Sequence, residues 1–258
     1  MKAVIFDLFC TVVPGGPDAA LARARHDMGI ALGIDPQAFA RCYRQTWPQR
    51  MRGQLGDLRS SIRAVAALAD PSVTPTDEQV RAAIEIRLEL LRDWIVPTTQ
   101  ALSTLETLRA RGWRLGLLSN CGTETEEVFP HSPLATGYFD AIGLSSALGF
   151  AKPEPEAYQH VADLLGVAPH ECYFVGDGAG DELPGAAAVG AHPIQVTEFA
   201  MADDPPPAWT GQVIVSLTDL PPLLGVPSVT PDAGRPASVP TSRASTDPDE
   251  DRPLATLG

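Results

Sequence analysis

Short apolar runs and stretches of helical period alternate along this chain, with one long interruption. Residues 2–7 (KAVIFD) are apolar and β-branched, and predict a buried strand. Pro14-Gly15-Gly16-Pro17 then breaks the chain. From 18 to 95 the pattern is helical, predicting helices over 18–33, 36–52, 57–69 and 77–95. The last opens on a Thr76 cap followed by acids, with Val80, Ile84, Leu88 and Leu91 at helical spacing. A helix over 98–111 follows Pro97 and closes at Gly112. Beyond it, strand-like runs at 113–119, 141–144, 172–177, 193–196 and 212–217 alternate with helical stretches at 123–129, 154–165 and 181–189.

Strands alternating with helices predict an α/β fold: a Rossmann-like, mostly parallel sheet with helices on both faces. The helical stretch 14–96 interrupts that alternation after the first strand and predicts an inserted helical cap. The core is then 1–13 together with 97–224. From Gly225 onward, six prolines and many Ser, Thr and Asp in 34 residues predict a disordered tail, since so few apolar groups cannot offset the entropy of ordering.

In open α/β sheets ligands bind outside the carboxyl ends of the strands. Asp7 ends the first strand, Ser119-Asn120 the next, and Asp177 the strand "CYFVGD", with Asp181 four residues on. Lys152 sits before a helix in "FAKPEPEAY". Taken singly, each has an ordinary structural use: strand exits, turn chemistry, a helix cap. All of them in sequence, each at a strand end or loop, is harder to assign to caps.

Composition sharpens one of these positions. Of 19 basic residues, 17 are Arg and two are Lys, Lys2 and Lys152. Lys152 is thus the one interior position where a compact ammonium is used instead of a guanidinium. The net charge of −13 argues against a general nucleic-acid binder. No apolar run reaches the roughly 18 residues of a membrane span, and no signal peptide is evident, so a cytoplasmic protein is expected. Cys10, Cys42, Cys121 and Cys172 form no CxxC pair, which argues against a zinc site or disulfide framework. Cys10 and Cys121 are expected to be small, semi-buried residues beside the rim.

"FDLFCT", "LLSN", the Lys of "AKPEPEAY" and "VGDGAGDE" resemble the four ordered motifs of the haloacid dehalogenase superfamily of hydrolases. The resemblance spans about residues 1–200, and the inserted helical stretch is similar to that superfamily's cap. It implies Asp7 as a nucleophile forming an aspartyl intermediate, with Thr11 and Ser119 bonding substrate or nucleophile oxygens. Lys152 would neutralise charge around Asp7. Mg²⁺ would be held by Asp7, Asp177, Asp181 and the main-chain carbonyl of Phe9.

Phe9 departs from the phosphatase pattern, which carries a second Asp there as acid and base. A bulky aromatic at that position resembles the metal-free 2-haloacid dehalogenase branch instead, whereas Asp177 and Asp181 keep a metal-binding pattern. Three readings follow: a Mg²⁺-dependent phosphohydrolase acting on a small phosphorylated metabolite, an anionic substrate; a dehalogenase-like enzyme; or a catalytically weak ligand-binding relative. Asn120 and a cap arginine, Arg50 or Arg52 in "WPQRMRGQL", are expected to contact substrate.

Overall fold

The structure is a computed structural model and describes residues 2–200 and 207–226. A single parallel sheet runs in the order β3-β2-β1-β4-β5-β6. Its strands are β1 (Ala3–Phe6), β2 (Arg114–Ser119), β3 (Ala141–Leu144), β4 (Cys172–Gly176), β5 (His192–Val196) and β6 (Gln212–Ile214). Strand β1 is buried throughout, as expected of a strand inside a sheet covered on both faces. Its alternate residues divide two cores. Val4 and Phe6 join Leu115, Leu117, Val175 and Ile194 on one face. Ala3 and Ile5 join Leu118, Phe174, Tyr158 and Val161 on the other.

Between β1 and helix α6 (Thr99–Ala110) lie five helices: α1 (Asp18–Leu32), α2 (Pro36–Gln45), α3 (Trp47–Arg50), α4 (Leu58–Ala69) and α5 (Asp77–Trp94). Local chemistry starts them. Asp35 caps α2 with Pro36 behind it, Asp57 caps α4, and Thr76 with Gln79 forms a reciprocal capping box on α5. Gly33, at φ 71°, closes α1 in the left-handed conformation that a Cβ disfavours. Their apolar faces continue the first core: Leu8, Val12 and Val13 after β1 pack into one cluster with Phe39, Tyr43, Ile62 and Leu91.

The later helices are α7 (Thr123–Val128), α8 (Ser145–Leu148), α9 (Pro155–Leu164), α10 (Glu182–Ala188) and α11 (Leu220–Leu223). Helix α9 lies close on the sheet because Gly116 and Gly143 have no side chain: a Cβ at either would come within 2.7 Å of a Val161 methyl.

Element bounds differ from the sequence expectation in a few places, each with a cause. The helix expected over 36–52 is broken at Thr46, whose hydroxyl donates to Cys42 O at 2.8 Å. Pro48 cannot continue α2, since it lacks an N–H and its ring opposes the preceding turn. The last strand stops at Ile214, not 217, because the Asp219 carboxylate accepts the N–H groups of Val215 and Ser216 and turns the chain. Helices α8 and α11 were not foreseen; both are single turns too short for a periodic signal. The expected tail lies outside the described residues beyond 226. Among the described residues no helix is long and apolar enough to cross a membrane.

Candidate active site

Strands β2, β1 and β4 are adjacent and parallel, so their carboxyl ends share one rim. The connection after β1 runs towards β2 and the one after β4 towards β5, on opposite sides, which makes the crevice between β1 and β4 a topological switch point. Asp7 follows β1, anchored by its N–H to Val175 O at 2.8 Å. Ser119 is the last residue of β2, and Asp177 follows β4. Lys152 arrives from the loop before α9 and is clasped by Asn120: the Asn120 amide donates to Lys152 O and accepts from Lys152 N, both at 2.8 Å. Asn120 therefore positions the lysine's main chain as well as lining the cavity described below.

The Lys152 ammonium is almost wholly buried and donates to two carboxylates, Asp7 Oδ1 and, at 2.6 Å, Glu182 Oε2. Glu182 Oε1 accepts from Gly178 N at 2.9 Å, and the Tyr158 hydroxyl donates to Glu182 O at 2.7 Å. Asp177 completes the group: Asp7, Asp177 and Glu182 each offer an oxygen within 4.8 Å of the others.

Burial pushes the Asp7 carboxyl up to about 6, although Lys152 opposes the rise. Burial also raises Glu182, against Lys152, and raises Asp177, with Asp7's charge adding to it. Lys152 moves the other way from a buried amine: burial disfavours its charge, but Asp7 and Glu182 outweigh that and hold it firmly protonated. Three acids facing one ammonium leave excess negative charge. An oxygen-only, carboxylate-rich donor set of this kind fits a hard divalent cation such as Mg²⁺.

Glu182, not Asp181, joins the cluster, which corrects the sequence expectation. Gly180 and Asp181 both take left-handed backbone, at φ 61° and 58°, and this turns the chain so that the next side chain faces the rim. Asp181 is left exposed. Glu182 fits because residue 176 is glycine; a Cβ there would meet Glu182 Oε1 at 2.1 Å. The hydroxyls of Thr11 and Ser119 are buried with no hydrogen-bond partner among the described residues. Each is a polar group whose burial is costly without a ligand to accept or donate.

Next to the rim, a cavity of about 280 Å³ separates the helical insertion from the loops after β1 and β2. Phe9, Tyr43, Trp47 and Trp94 form its apolar wall, with Arg25, Arg50, Arg87 and Glu124 among its lining groups. The two arginines foreseen at the site separate here. Arg50 lies in the cavity wall, stacked 3.6 Å from the Tyr43 ring centroid and donating to Tyr43 O at 2.8 Å. Arg52 does not line the cavity. It is held away by Glu154, at 2.9 Å from Nε, and by Pro48 O.

Glu124, Arg87 and Arg25 were missed by sequence reasoning. "TETEEV" reads as a solvated helix, yet Glu124 is buried because the insertion lies over α7. Its carboxylate accepts from Arg87 at 3.0 Å and lies 3.8 Å from Arg50. Burial opposes ionisation of Glu124, but Arg87 and Arg50 outweigh it and hold the carboxyl below its usual range. Cys121 also lines the cavity; burial pushes its thiol up to about 11, so it is protonated near neutrality. Cys10 sits at φ 55°, its thiol directed to Pro14 O.

A family model described as haloacid dehalogenase-like hydrolase matches residues 1–190. The (S)-2-haloacid dehalogenase 4A of Burkholderia cepacia is 24% identical over 229 residues, covering 87% of this chain and 95% of that one. The glyceraldehyde 3-phosphate phosphatase of Methanopyrus kandleri is 23% identical over 212 residues, covering 80% and 88%. Among solved structures, a HAD family enzyme from Bacteroides thetaiotaomicron in complex with magnesium and inorganic phosphate superposes with a TM-score of 0.57 at 20% identity, covering 81% of this chain and 98% of that one.

Two outcomes are expected from this geometry. Gly176→Ala should push the Glu182 carboxylate off Lys152 and lower stability by about 1–3 kcal/mol, the usual cost of overpacking; urea unfolding reads the loss. For Glu124, a depressed folded-state pKa means that its stabilisation is present above its ordinary value of 4.5 and is lost as pH falls towards the folded value. Glu124→Gln, which leaves Arg87 buried without its anion, should lower stability near neutrality by about 3 kcal/mol. Unfolding free energy between about pH 5 and pH 3 should then fall less steeply in Glu124→Gln than in the unaltered protein.

Proposed function

We propose a phosphohydrolase function for this chain, which belongs to the haloacid dehalogenase-like hydrolases. Relatives in that family include both phosphatases and dehalogenases, so the choice between them rests on this site. The observation that carries it is the group of three carboxylates, Asp7, Asp177 and Glu182, around one ammonium. Attack on carbon needs one carboxylate in a positive setting. Two further acids would raise that nucleophile's pKa and repel an anionic substrate. A bound divalent cation gives the extra carboxylates a purpose.

In this reading Asp7 attacks phosphorus and forms an aspartyl phosphate as the P–O bond to the leaving group breaks and that group departs as its oxyanion. Water then attacks the phosphorus of that acyl phosphate, releasing inorganic phosphate and restoring the Asp7 carboxylate. Lys152 holds Asp7 ionised and in place. The unpartnered hydroxyls of Thr11 and Ser119 bind phosphoryl oxygens, which satisfies two buried polar groups. Asp7, Asp177 and the Phe9 carbonyl would hold Mg²⁺, with Glu182 beside them. The ion, when bound, supplies positive charge to the transferring group. With Phe9 where a second acid would stand, no side chain there protonates the leaving oxygen, so substrates with a good leaving group are favoured. Helices α1–α5 act as a cap that covers the substrate and excludes water.

A dehalogenase reading has one observation of its own: Phe9 faces an aromatic cavity, with Tyr43, Trp47 and Trp94, instead of presenting an acid. The two readings separate in one experiment. The protein is assayed against p-nitrophenyl phosphate with Mg²⁺ or with EDTA, and against 2-chloropropionate by halide release. Phosphatase turnover should require Mg²⁺ and fall by at least about a thousandfold in Asp7→Asn. Mg²⁺ should also raise the thermal midpoint, since it binds only the folded site. Halide release indifferent to EDTA would replace the phosphatase reading with the dehalogenase one. Silence in both assays would leave a narrow-specificity enzyme or a ligand-binding relative.

A further inference from the structure

A second tie joins the helical insertion to the sheet's loops, and it lands beside Lys152. The chain turns after α3: Gly53 N donates to Arg50 O at 3.1 Å and Gln54 N to Gln49 O at 3.0 Å, with Gly53 left-handed at φ 64°. That turn sits backbone to backbone on α8, where a Cβ at residue 53 would come within 2.2 Å of Ser146 O. Seated there, Arg52 reaches Glu154, 102 positions on. Its Nε and Nη2 both donate to Glu154 Oε1, the former at 2.9 Å, and its Nη1 donates to Pro48 O at 2.9 Å.

Glu154 turns its other oxygen to the lysine loop. Oε2 accepts from Ala151 N at 3.0 Å, and Glu154 N donates to Ala151 O at 2.8 Å. Pro153 and Pro155 bring no N–H, so residues 151–155 have three main-chain donors. Asn120 takes that of Lys152, and the other two make the bonds between Ala151 and Glu154. The loop that aims Lys152 at Asp7 and Glu182 is therefore closed largely by Glu154, whose remaining oxygen is held, among the described residues, by Arg52. Burial opposes ionisation of Glu154, but the bonds from Arg52 and Ala151 outweigh it and hold the carboxyl below its usual range. The pair is partly exposed, at 22% for the Arg52 side chain and 34% for that of Glu154. Pairs so placed contribute little to global stability, so its use lies in geometry.

We infer that Arg52 is a positioning residue: through Glu154 it fixes the loop carrying Lys152, and so holds the ammonium on Asp7 and Glu182 when the insertion is seated on α8. Arg52 is absent from the cavity lining, so it bears on the reaction through two links, the Glu154 carboxylate and the loop. Misplacing a catalytic group by about 1 Å can slow a reaction by up to about a hundredfold, so a loop that is merely looser is enough to lower turnover. The inference rests on the phosphohydrolase reading only where turnover is measured.

Hydrogen exchange read by mass spectrometry tests the link, on the full chain unaltered and as Arg52→Gln, Glu154→Ala and the double variant. Arg52→Gln should quicken exchange of the Ala151, Lys152 and Glu154 amides at least about fivefold through local opening. The amides of β1 and β4 should keep their rates, and the thermal midpoint should move by no more than about 2 °C. Adding Arg52→Gln to Glu154→Ala should change exchange there by less than about twofold, because the link is already cut. In the p-nitrophenyl phosphate assay Arg52→Gln should lower kcat about tenfold and leave KM within about twofold. Faster exchange confined to residues 47–57, or spread over the whole chain, would make Arg52 an anchor of the insertion or of the fold and overturn the inference. So would additive effects of the two substitutions, or an unchanged kcat; a KM raised at that kcat would mean that Arg52 binds substrate. The exchange measurement needs no turnover. A protein silent in every assay that still shows the response at 151–154 loses only the hydrolase reading, and an active protein without that response loses only this inference.

Discussion

One buried ammonium organises the rim at the carboxyl ends of the central strands. Lys152 brings together carboxylates from two different connections, Asp7 after β1 and Glu182 at the start of α10, and its own main chain is held by Asn120 after β2. Three segments distant in sequence therefore meet on one side chain. Removing one member of such a buried pair strands the other's charge in a low dielectric, at a cost of about 3–5 kcal/mol. That cost falls on the sheet's central crevice, so the arrangement of the rim and the pairing of Lys152 cannot be separated. The lysine is also why an acid can stay usable while buried. Without it, burial and two acid neighbours would drive the Asp7 carboxyl further above its present position near 6.

A second charge cluster sits beside the first with the opposite sign. At the rim, three acids gather by one ammonium; the neighbouring cavity is lined by three arginines and one acid. The two are built from different parts of the chain. The rim belongs to strand ends, the loop before α9 and the start of α10, whereas Arg25, Arg50 and Arg87 come from α1, α3 and α5. Glu124, on α7, ties the insertion to the rest of the chain electrostatically, as Glu154 does through Arg52.

The gaps in sequence reasoning fall where burial depends on partners far along the chain. Asp181 and Glu182 are adjacent acids, and counting residues from Asp177 cannot say which one faces inward; two successive left-handed residues decided it. Arg50 and Arg52 are near-equivalent in "WPQRMRGQL", yet one stacks on Tyr43 in the cavity wall and the other is drawn off by Glu154. Glu124 sits in a polar hexapeptide whose local pattern is that of a solvated helix, and only the helices laid over it make it a buried anion.

By contrast, the α/β alternation, the helical interruption after the first strand and the placing of Asp7, Ser119, Lys152 and Asp177 at one rim were all legible in the sequence. Strand ends, glycine stops, caps and apolar periods are local, and in a parallel sheet a residue's position at a strand's carboxyl end already places it near the crevice. The singular use of lysine at 152 was a compositional signal of the same kind. Which acid completes the rim, which arginine faces the cavity and what charge that cavity carries were decided only by the tertiary structure. Those properties arise from burial and from ion pairs between residues such as Glu124 and Arg87, 37 positions apart, whose energies no local window of sequence contains.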